Sequence, residues 1–445
     1  MLVNRIFPIV LISLCSLCAC KKTATNTYSA DTFFKVYNAP IAKDLGSNAT
    51  TNSSGAVTSD ANGNIYILYY DALLANNGAL YMLKTDKYGK MVFNKRYFKF
   101  YLYQQVYYYI ANFICLDETL YLAGLDSTGK WTILKINCTD GQVAGQIPLA
   151  GIIPPGAKVS SFSIADMWQT KAGNLLINAY YTTPLGYTKP ILSLLSPDGT
   201  IIWSKSDFPF PLFKSGDYEE GSCISELANG NFVFGTVGVR WTNTAVAYET
   251  KTVELNFYTL SSGGSLLSVD SLTAGGEVQY YYISGIYNKI SPEILSFFLF
   301  PSPLGGYIIA ANEYYGYTSQ SGNYLYRLKV IKTDISFHVL DSAYVNPANS
   351  DVNISGIVQK ADGSIMVSLE DQQLPVTNDL CYLYEIAPDA SVKKVRQVGL
   401  SSQSTFISGM SQANDGHIVM GGLIQTNGID TNNIFILKTD GNGNY

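Results

Sequence analysis

The chain has 445 residues and a net charge of −5, from 29 Lys and Arg against 34 Asp and Glu. This weak, acidic charge excludes a basic face of the kind that binds nucleic acid. The hydrophobic content of 47% is ample for a large core. Only two histidines occur, His338 and His417, and neither stands in an HxH or HExxH arrangement. A histidine-based metal site or a Ser-His-Asp triad is therefore not expected.

The N-terminus has the pattern of an export signal. Arg5 precedes an apolar stretch over residues 6–17, which is too short for a transmembrane helix, and Leu17-Cys18-Ala19-Cys20 follows. This end resembles a bacterial lipobox, in which a small residue precedes the cysteine that is acylated. The resemblance implies a signal peptide over 1–19, a lipid on Cys20 and a tether over 20–31. An ordinary cleaved signal peptide is the alternative.

The lipobox and the polar tether together resemble surface lipoproteins of the Bacteroidetes type. This resemblance implies an exported protein that is held by its lipid at the outer membrane, on either the surface or the periplasmic face.

A tight turn followed by an apolar strand occurs seven times along the chain. Glycine and asparagine accept the positive φ that two-residue hairpin turns need, so each copy predicts a β-hairpin. A second strand pair follows each copy, and no helical period separates the strands. Six of the turns centre on Gly63, Gly173, Gly230, Gly306, Gly363 and Gly416, and a weaker copy is Asp117-Glu118-Thr119.

Four short strands in each repeat indicate the blade of a β-propeller. The turn glycines are 57 residues apart from Gly173 to Gly230 and again from Gly306 to Gly363, and 53 apart from Gly363 to Gly416. The 76 residues from Gly230 to Gly306 exceed one blade, which predicts a loop insertion around 275–292. We predict an all-β fold, a seven-bladed propeller of four-stranded blades, in one domain over 32–445.

The two ends of the chain predict how the ring closes. The chain stops at Tyr445 before the last repeat has a fourth strand, and residues 32–37 resemble the fourth strands of other repeats. An N-terminal strand that completes the last blade would leave no free edge within the ring. An open sandwich or solenoid of the same hairpins is the alternative.

Four cysteines remain outside the signal: Cys115, Cys138, Cys223 and Cys381. Cys115 and Cys138 fall on the first and third strands of the second blade. Strands two apart are separated by about twice 4.8 Å, beyond the roughly 7 Å limit on Cα separation for a disulfide. We predict four free, mostly buried thiols, whose spacing matches no zinc motif.

Tyrosine is unusually abundant, with 34 residues. Several aromatic residues stand where the second strand of a blade ends, and the loops that follow share one face of a propeller. Aromatic rings beside carboxylates and amides suit sugar rings, which stack through their C–H faces and need acceptors for their hydroxyls. The candidate ligand-binding rim comprises Tyr69, Tyr70, Tyr180, Tyr181, Trp241, Tyr314 and Tyr315.

Packing between blades is the alternative explanation for these tyrosines, because Tyr is favoured in strands and buries its ring while its hydroxyl stays wet. Tyr280, Tyr281, Tyr282 and Tyr287 belong to the insertion, where we expect surface exposure because an added loop tends to carry function.

The blade pattern resembles the quinoprotein-dehydrogenase-like and kelch-like repeat propellers. Quinoprotein enzymes carry a repeated tryptophan docking motif, whereas only four tryptophans occur here, without a TGxxxW context. We therefore predict no pyrroloquinoline quinone, and no other cofactor or metal.

The residues that remain for catalysis are two acidic pairs, Glu219-Glu220 and Glu370-Asp371. Two carboxylates at a suitable separation suffice for glycoside hydrolysis. Adjacent strand residues point to opposite faces, so a working pair would have to come from different blades. We assign no catalytic residue and favour a non-catalytic role.

The sequence thus predicts a lipid-anchored propeller that acts as a binding or scaffold module for a glycan or an envelope protein. The alternatives are a carbohydrate-active enzyme, a hydrolase or lyase with carboxylates from different blades, and a structural accessory subunit of an outer-membrane complex. Propellers serve in all three roles, so the fold alone does not choose among them.

Overall fold

The computed structural model describes residues 31–42, 57–71, 79–99, 113–125, 128, 130–155, 157, 162–210, 218–244, 248–273, 278–283, 286–289, 293–318, 323–345, 351–372, 380–398, 403–426 and 432–445. The described chain is all-β apart from one 3₁₀ helix, Ala150–Ile152. Its strands form seven four-stranded antiparallel blades in a ring, so the chain is a seven-bladed β-propeller.

The first three blades contain the following strands. Blade 1 has β2 (Val57–Ser59), β3 (Ile65–Asp71), β4 (Ala79–Thr85) and β5 (Met91–Lys99). Blade 2 has β6 (Phe113–Leu116), β7 (Thr119–Leu125), β8 (Trp131–Asn137) and β9 (Val143–Pro148). Blade 3 has β10 (Phe162–Gln169), β11 (Leu175–Thr182), β12 (Thr188–Leu195) and β13 (Ile201–Lys205).

The remaining blades follow the same order. Blade 4 has β14 (Tyr218–Glu226), β15 (Phe232–Thr244), β16 (Tyr248–Leu260) and β17 (Leu266–Thr273), with an added hairpin of β18 (Val278–Ile283) and β19 (Ile286–Lys289). Blade 5 has β20 (Glu293–Pro301), β21 (Tyr307–Thr318), β22 (Asn323–Thr333) and β23 (Val339–Val345). Blade 6 has β24 (Asp351–Gln359), β25 (Ile365–Gln372), β26 (Leu380–Ile386) and β27 (Val392–Val398). Blade 7 has β28 (Gln403–Gln412), β29 (Ile418–Thr426), β30 (Asn432–Thr439) and β1 (Phe33–Ala42).

The hydrophobic core consists of layers between neighbouring blades. Each of the seven buried clusters joins residues of two adjacent blades, and one of them joins blade 7 to blade 1. In β3, Ile65 and Ile67 face blade 7, and Tyr66 and Leu68 face blade 2. A strand that is buried on both faces has no polar positions, which explains why the second strands read as unbroken apolar runs.

The predicted closure of the ring is confirmed. Strand β1 pairs antiparallel with β30, from Phe33 opposite Lys438 to Tyr37 opposite Ile434. The ring of Phe34 stacks on that of Phe435, with 5.4 Å between centroids. The strand that precedes blade 1 in sequence is therefore the outermost strand of blade 7.

The turns between first and second strands differ from the prediction. In blade 1, the Gly63 N–H donates to Asp60 O at 3.0 Å and the Asp60 N–H donates to Asn64 O at 3.0 Å. Among the residues of this turn, only Gly63 has positive φ, at 77°. This is a three-residue loop, a type I turn closed by a glycine bulge, so the expectation of two-residue turns is wrong.

Blade 2 has the two-residue turn. Leu116 pairs directly with Thr119, and both intervening residues have positive φ, Asp117 at 45° and Glu118 at 62°. The weaker sequence signal of this copy is therefore a different turn type, built from two residues that rarely adopt this conformation.

Turns between third and fourth strands accept hydrogen bonds from fourth-strand side chains of the preceding blade. The Tyr37 hydroxyl donates to Gly89 O at 2.6 Å, and the Tyr97 hydroxyl donates to Gly141 O at 2.6 Å. Trp203 Nε1 donates to Ser262 O at 2.9 Å. These fourth-strand aromatics thus bond to the neighbouring blade, which confirms blade packing for part of the tyrosine excess.

The predicted loop insertion of blade 4 contains a hairpin, so the expectation of a loop is wrong over these residues. Strand β18 pairs with β16 from Tyr248 to Lys251, beyond the point where β17 ends its pairing at Glu254. Strands β15 and β16 are 13 residues each. The added hairpin pairs with the extended end of β16, past the point where the fourth strand stops.

The geometric argument about Cys115 and Cys138 is also wrong. Both are free thiols, as predicted, but their Sγ atoms lie 3.2 Å apart. Cys138 follows the last residue of β8, and its N–H donates to Glu118 O at 2.9 Å. Cys138 therefore continues the pairing of Thr119 with Asn137 by one residue and lies opposite the β6–β7 turn, where the interstrand spacing does not apply.

Among the described residues, no helix is long and apolar enough to cross a membrane. The predicted lipobox, with Cys20, lies outside the described residues.

The packing of fourth-strand side chains on turn glycines generates a stability prediction. A Cβ at Gly141, where φ is +67°, would lie 2.8 Å from Phe93 Cζ and 2.8 Å from Tyr97 Oη. Gly173 has φ of +80° and nothing within 4 Å of a Cβ. We expect Gly141→Ala to lower the free energy of unfolding by about 3 kcal/mol and Gly173→Ala by about 1 kcal/mol, in urea denaturation. Equal losses would show that the blade contact does not constrain position 141.

Candidate functional site

Two of the proposed rim tyrosines are buried. Tyr69 is 2% exposed, its ring stacks on Tyr81 with centroids 5.2 Å apart, and its hydroxyl hydrogen-bonds to the Asn94 side chain at 2.9 Å. Tyr314 is 2% exposed and meets the Tyr326 ring edge-on at 5.9 Å. In this structure both rings are packed within their own blades and are not available to stack on a sugar.

The structure describes the side chains of only two of the other five rim residues, Tyr180 and Tyr181. Tyr180 and Tyr181 are half-buried at the end of β11, and Tyr181 also packs against the core between blades 2 and 3. For Tyr70, Tyr315 and Trp241 only the backbone is described, and Trp241 pairs with Lys251 in the extension of blade 4. A sugar-binding role for these five residues stays a prediction.

The first acidic pair does not present two carboxylates to solvent. Glu219 is buried in blade 4, and its Oε1 accepts hydrogen bonds from Thr236 at 2.6 Å and Tyr258 at 2.5 Å. Burial raises the pKa of Glu219, although these hydrogen bonds favour the ionised form. The Glu220 side chain lies outside the described residues.

The second acidic pair is similarly incomplete. Glu370 is half-buried on β25, and the side chain of Asp371 lies outside the described residues. Over the part of the chain that the structure describes, no three His, Cys, Asp or Glu side chains come together as metal ligands.

A cavity of about 300 Å³ occupies the central channel of the propeller. Residues of the first strand of every blade line it, so it lies on the axis of the ring. The volume is at the lower end of the range of small-molecule pockets, about 300–1,000 Å³. The described wall is mainly apolar, with Thr58, Asp166 and Ser411 as polar members.

The inner strands are bent where they face this channel. Five of them have a β-bulge, which places two residues opposite one on the second strand, and in four of these the bulge lies five residues before the following turn. A bulge bends and twists its strand and re-aims the side chains beside it. The unpaired residues are Ala165, Ser222, Ser355 and Ser408 at the shared position, and Leu295 in β20.

Four aromatic residues line the channel: Phe113 from blade 2, Trp168 from blade 3, and Phe298 and Phe300 from blade 5. Phe113 is buried, and the other three are half-buried. Phe298 and Phe300 also pack on the core between blades 5 and 6, which fixes one side of each ring. Half-buried aromatic rings around a cavity offer flat apolar surfaces for a ligand.

Asp166 is the single ionisable side chain among the described residues that line the cavity, apart from the thiol of Cys223. It follows the bulge of β10, and its Oδ1 accepts a hydrogen bond from the Met167 N–H at 2.8 Å. Desolvation raises its pKa to about 7, against that hydrogen bond, while the side chain keeps partial contact with channel water. The channel thus presents one carboxyl group that titrates near neutral pH.

Sequence reasoning missed these residues because it looked for sites at the ends of second strands. A signal was present, since Trp168 and Phe300 each stand two residues before the first residue of a turn, Thr170 or Ser302. Once the turns fix the register, residues two apart share a face. Which of the two faces looks into the channel depends on the bulges, which the sequence did not reveal.

Comparison with known proteins supports the fold. No family model matches the chain, and no curated protein matches it by sequence. A polysaccharide lyase structure is 10% identical, with a TM-score of 0.53 over 93% of this chain and 98% of the lyase. A PL25 ulvan lyase, bound to GlcA(1-4)Rha3S, is 10% identical, with a TM-score of 0.49 over 90% of this chain and 95% of that one.

The WD40 domain of Toxoplasma gondii coronin is 8% identical, with a TM-score of 0.45 over 92% of this chain and 86% of the domain. At such identities the likeness concerns the fold alone, and the proteins matched have different functions. The fold and the channel define the class of protein, a β-propeller with a cavity on its axis.

The raised pKa of Asp166 predicts how stability depends on pH. Between its unfolded pKa of 3.8 and its folded pKa of about 7, the folded state holds a proton that the unfolded state has lost, so stability falls as pH rises through this window. Asp166→Asn removes this loss. Full linkage for this shift is about 4 kcal/mol at pH 8, and we take about half of it because Asp166 is half-buried. We therefore expect the variant to match the parent at pH 4 and to exceed its free energy of unfolding by about 2 kcal/mol at pH 8. Urea titrations across this range measure it, and a difference that is constant with pH would contradict the assignment.

Proposed function

We propose that this protein is an envelope-anchored carbohydrate-binding propeller, and that a saccharide binds in the central channel. The observation that supports the site most directly is the combination of Trp168, Phe298 and Phe300 with the Asp166 carboxyl group around one cavity. The C–H faces of a sugar ring stack on aromatic surfaces, and its hydroxyls donate to a carboxylate. The volume of about 300 Å³ favours a short saccharide or the end of a chain.

The same wall favours binding over hydrolysis. Glycoside hydrolysis uses two carboxyl groups, one as the acid and one as the base or nucleophile. The described wall of the channel contains one, Asp166, and the nearest candidates from the sequence lie elsewhere, with Glu219 buried among hydrogen-bond donors. Cleavage of a bound glycan by groups of the propeller's loops is the alternative, and it is an outcome of the test below.

The test uses the full chain in detergent, run by affinity electrophoresis through gels that contain a panel of neutral and acidic polysaccharides. We expect retardation by at least one polysaccharide, and about a tenfold higher dissociation constant for Trp168→Ala, because a stacked aromatic ring contributes about 0.5–1.5 kcal/mol beyond the apolar area that it buries. Trp203→Ala is the matched control, since Trp203 lies on β13 and bonds to the next blade, away from the channel wall. If both variants are retarded as strongly as the parent, the channel site is contradicted and a site on the rim is favoured. The double variant Tyr180→Ala, Tyr181→Ala then tests the rim.

Two other outcomes have distinct meanings. New reducing ends or unsaturated products in the incubated polysaccharide would replace the binding role with a catalytic one. Absence of retardation on every gel would contradict the saccharide proposal and favour a protein partner, to be sought by co-purification from intact membranes.

The proposed anchor is tested separately. We propose that Cys20 is acylated and holds the propeller at the outer membrane. We expect Cys20→Ser to move the protein from the membrane pellet to the soluble fraction, because the lipid is the proposed attachment. Cys18→Ser is the control and should stay in the pellet. Membrane retention of Cys20→Ser would contradict the anchor.

A further inference from the structure

Two thiols of blade 2 are in contact. Cys115 Sγ lies 3.2 Å from Cys138 Sγ. A disulfide bond is about 2.05 Å long, so the sulfurs would have to approach by only about 1 Å more. Cys223 and Cys381 lie in the first strand of blade 4 and the third strand of blade 6, and they form no such pair.

Side chains of blade 1 hold Cys138 in this position. Lys84 Nζ donates to Cys138 O at 2.6 Å, and the Tyr66 hydroxyl donates to the same oxygen at 3.1 Å. Tyr66 also hydrogen-bonds to Asp60 at 2.9 Å. The Cys138 N–H donates to Glu118 O, so both the N–H and the carbonyl oxygen of Cys138 are hydrogen-bonded. The proximity of the two sulfurs is therefore built into the junction of blades 1 and 2.

The two sulfurs have different access. Cys115 is half-buried, whereas Cys138 is 3% exposed. The hydrogen bond between the two thiols lowers the pKa of Cys138, against the effect of burial, and raises the pKa of Cys115 together with burial. A thiolate is the reactive form in thiol–disulfide exchange, and the Cys138 thiolate can accept the proton of Cys115. The half-buried Cys115 is thus placed to meet a small reagent, and the buried Cys138 is placed to resolve the product.

We propose that Cys115 and Cys138 are a covalent modification site, at which exchange with a small disulfide closes an intrachain disulfide bond. In the first step Cys115 Sγ passes its proton to the Cys138 thiolate, attacks the donor disulfide, forms a mixed disulfide and releases one donor thiolate, which takes up that proton. In the second step the Cys138 thiolate attacks Cys115 Sγ and releases the other donor thiolate. The two cysteines are oxidised, the donor is reduced to two thiols, and these take up the two protons.

The bond would link the first strand of blade 2 to the turn after its third strand, and close the loop over residues 115–138. This cross-link stabilises the fold by lowering the conformational entropy of the unfolded chain, and this effect does not depend on any ligand in the channel. The disulfide proposal can therefore fail without affecting the saccharide proposal, and the reverse also holds.

The experiment compares two samples of the full chain in detergent, one fully reduced and one equilibrated at pH 8 with oxidised glutathione. Both are alkylated under denaturing conditions and digested with trypsin without reductant. Lys130 and Lys135 lie between the cysteines, so trypsin separates peptide 100–130 from peptide 136–158. We expect the oxidised sample to yield these two peptides linked, with the mass of two hydrogen atoms lost, and a melting temperature about 4 °C above that of the reduced sample.

Cys115→Ser is the matched variant, because it replaces the half-buried sulfur and keeps Cys138 in place. It should give no linked peptide and no change of melting temperature with oxidant. The proposal is overturned if the oxidised parent yields both peptides alkylated, or with glutathione adducts only. Linkage of either peptide to a cysteine other than its proposed partner would also overturn it, and none of these readings requires the variant to fold.

Discussion

Each blade of this protein is a sheet with two apolar faces, and neither face is buried until another blade lies against it. The seven core clusters are all interfaces between neighbouring blades, including the one between blade 7 and blade 1. An open row of the same blades would expose one apolar face at each end, at a cost of about 25 cal/mol for each Å². Closure by β1 removes both exposed faces, so the ring is the arrangement in which every second strand is covered.

The channel is a consequence of this closure. Seven first strands must converge on one axis, and bulges in five of them adjust their curvature and side-chain direction. This convergence brings Trp168 of blade 3 to the same cavity as Phe298 and Phe300 of blade 5, although about 130 residues separate them in sequence. It also surrounds Asp166 with apolar wall, which is why its carboxyl group is costly to ionise. The candidate site is thus made by the ring and belongs to no single blade.

The tyrosine excess has a partly structural explanation. Tyr37 and Tyr97 each donate to a turn carbonyl of the next blade, and Tyr69 and Tyr314 are buried within their own. A tyrosine suits these positions because its ring fills a large apolar volume while its hydroxyl satisfies a backbone carbonyl that would otherwise be unpaired. Residue abundance alone therefore did not separate packing tyrosines from candidate ligand contacts, and two of the seven proposed rim residues are buried in this structure.

The all-β class, the seven repeats and the completion of blade 7 by β1 could be predicted from the residues alone, because they follow from local turn chemistry and from the spacing of the turn glycines. The side chains that meet across strands and blades could not be predicted in this way. The 3.2 Å contact of Cys115 and Cys138 depends on the position of Cys138 opposite the β6–β7 turn, and the grouping of Trp168, Phe298 and Phe300 depends on where bulged strands point. Such contacts join positions far apart in the chain, and a repeat period fixes the order of the strands but not the small rotations that bring side chains together.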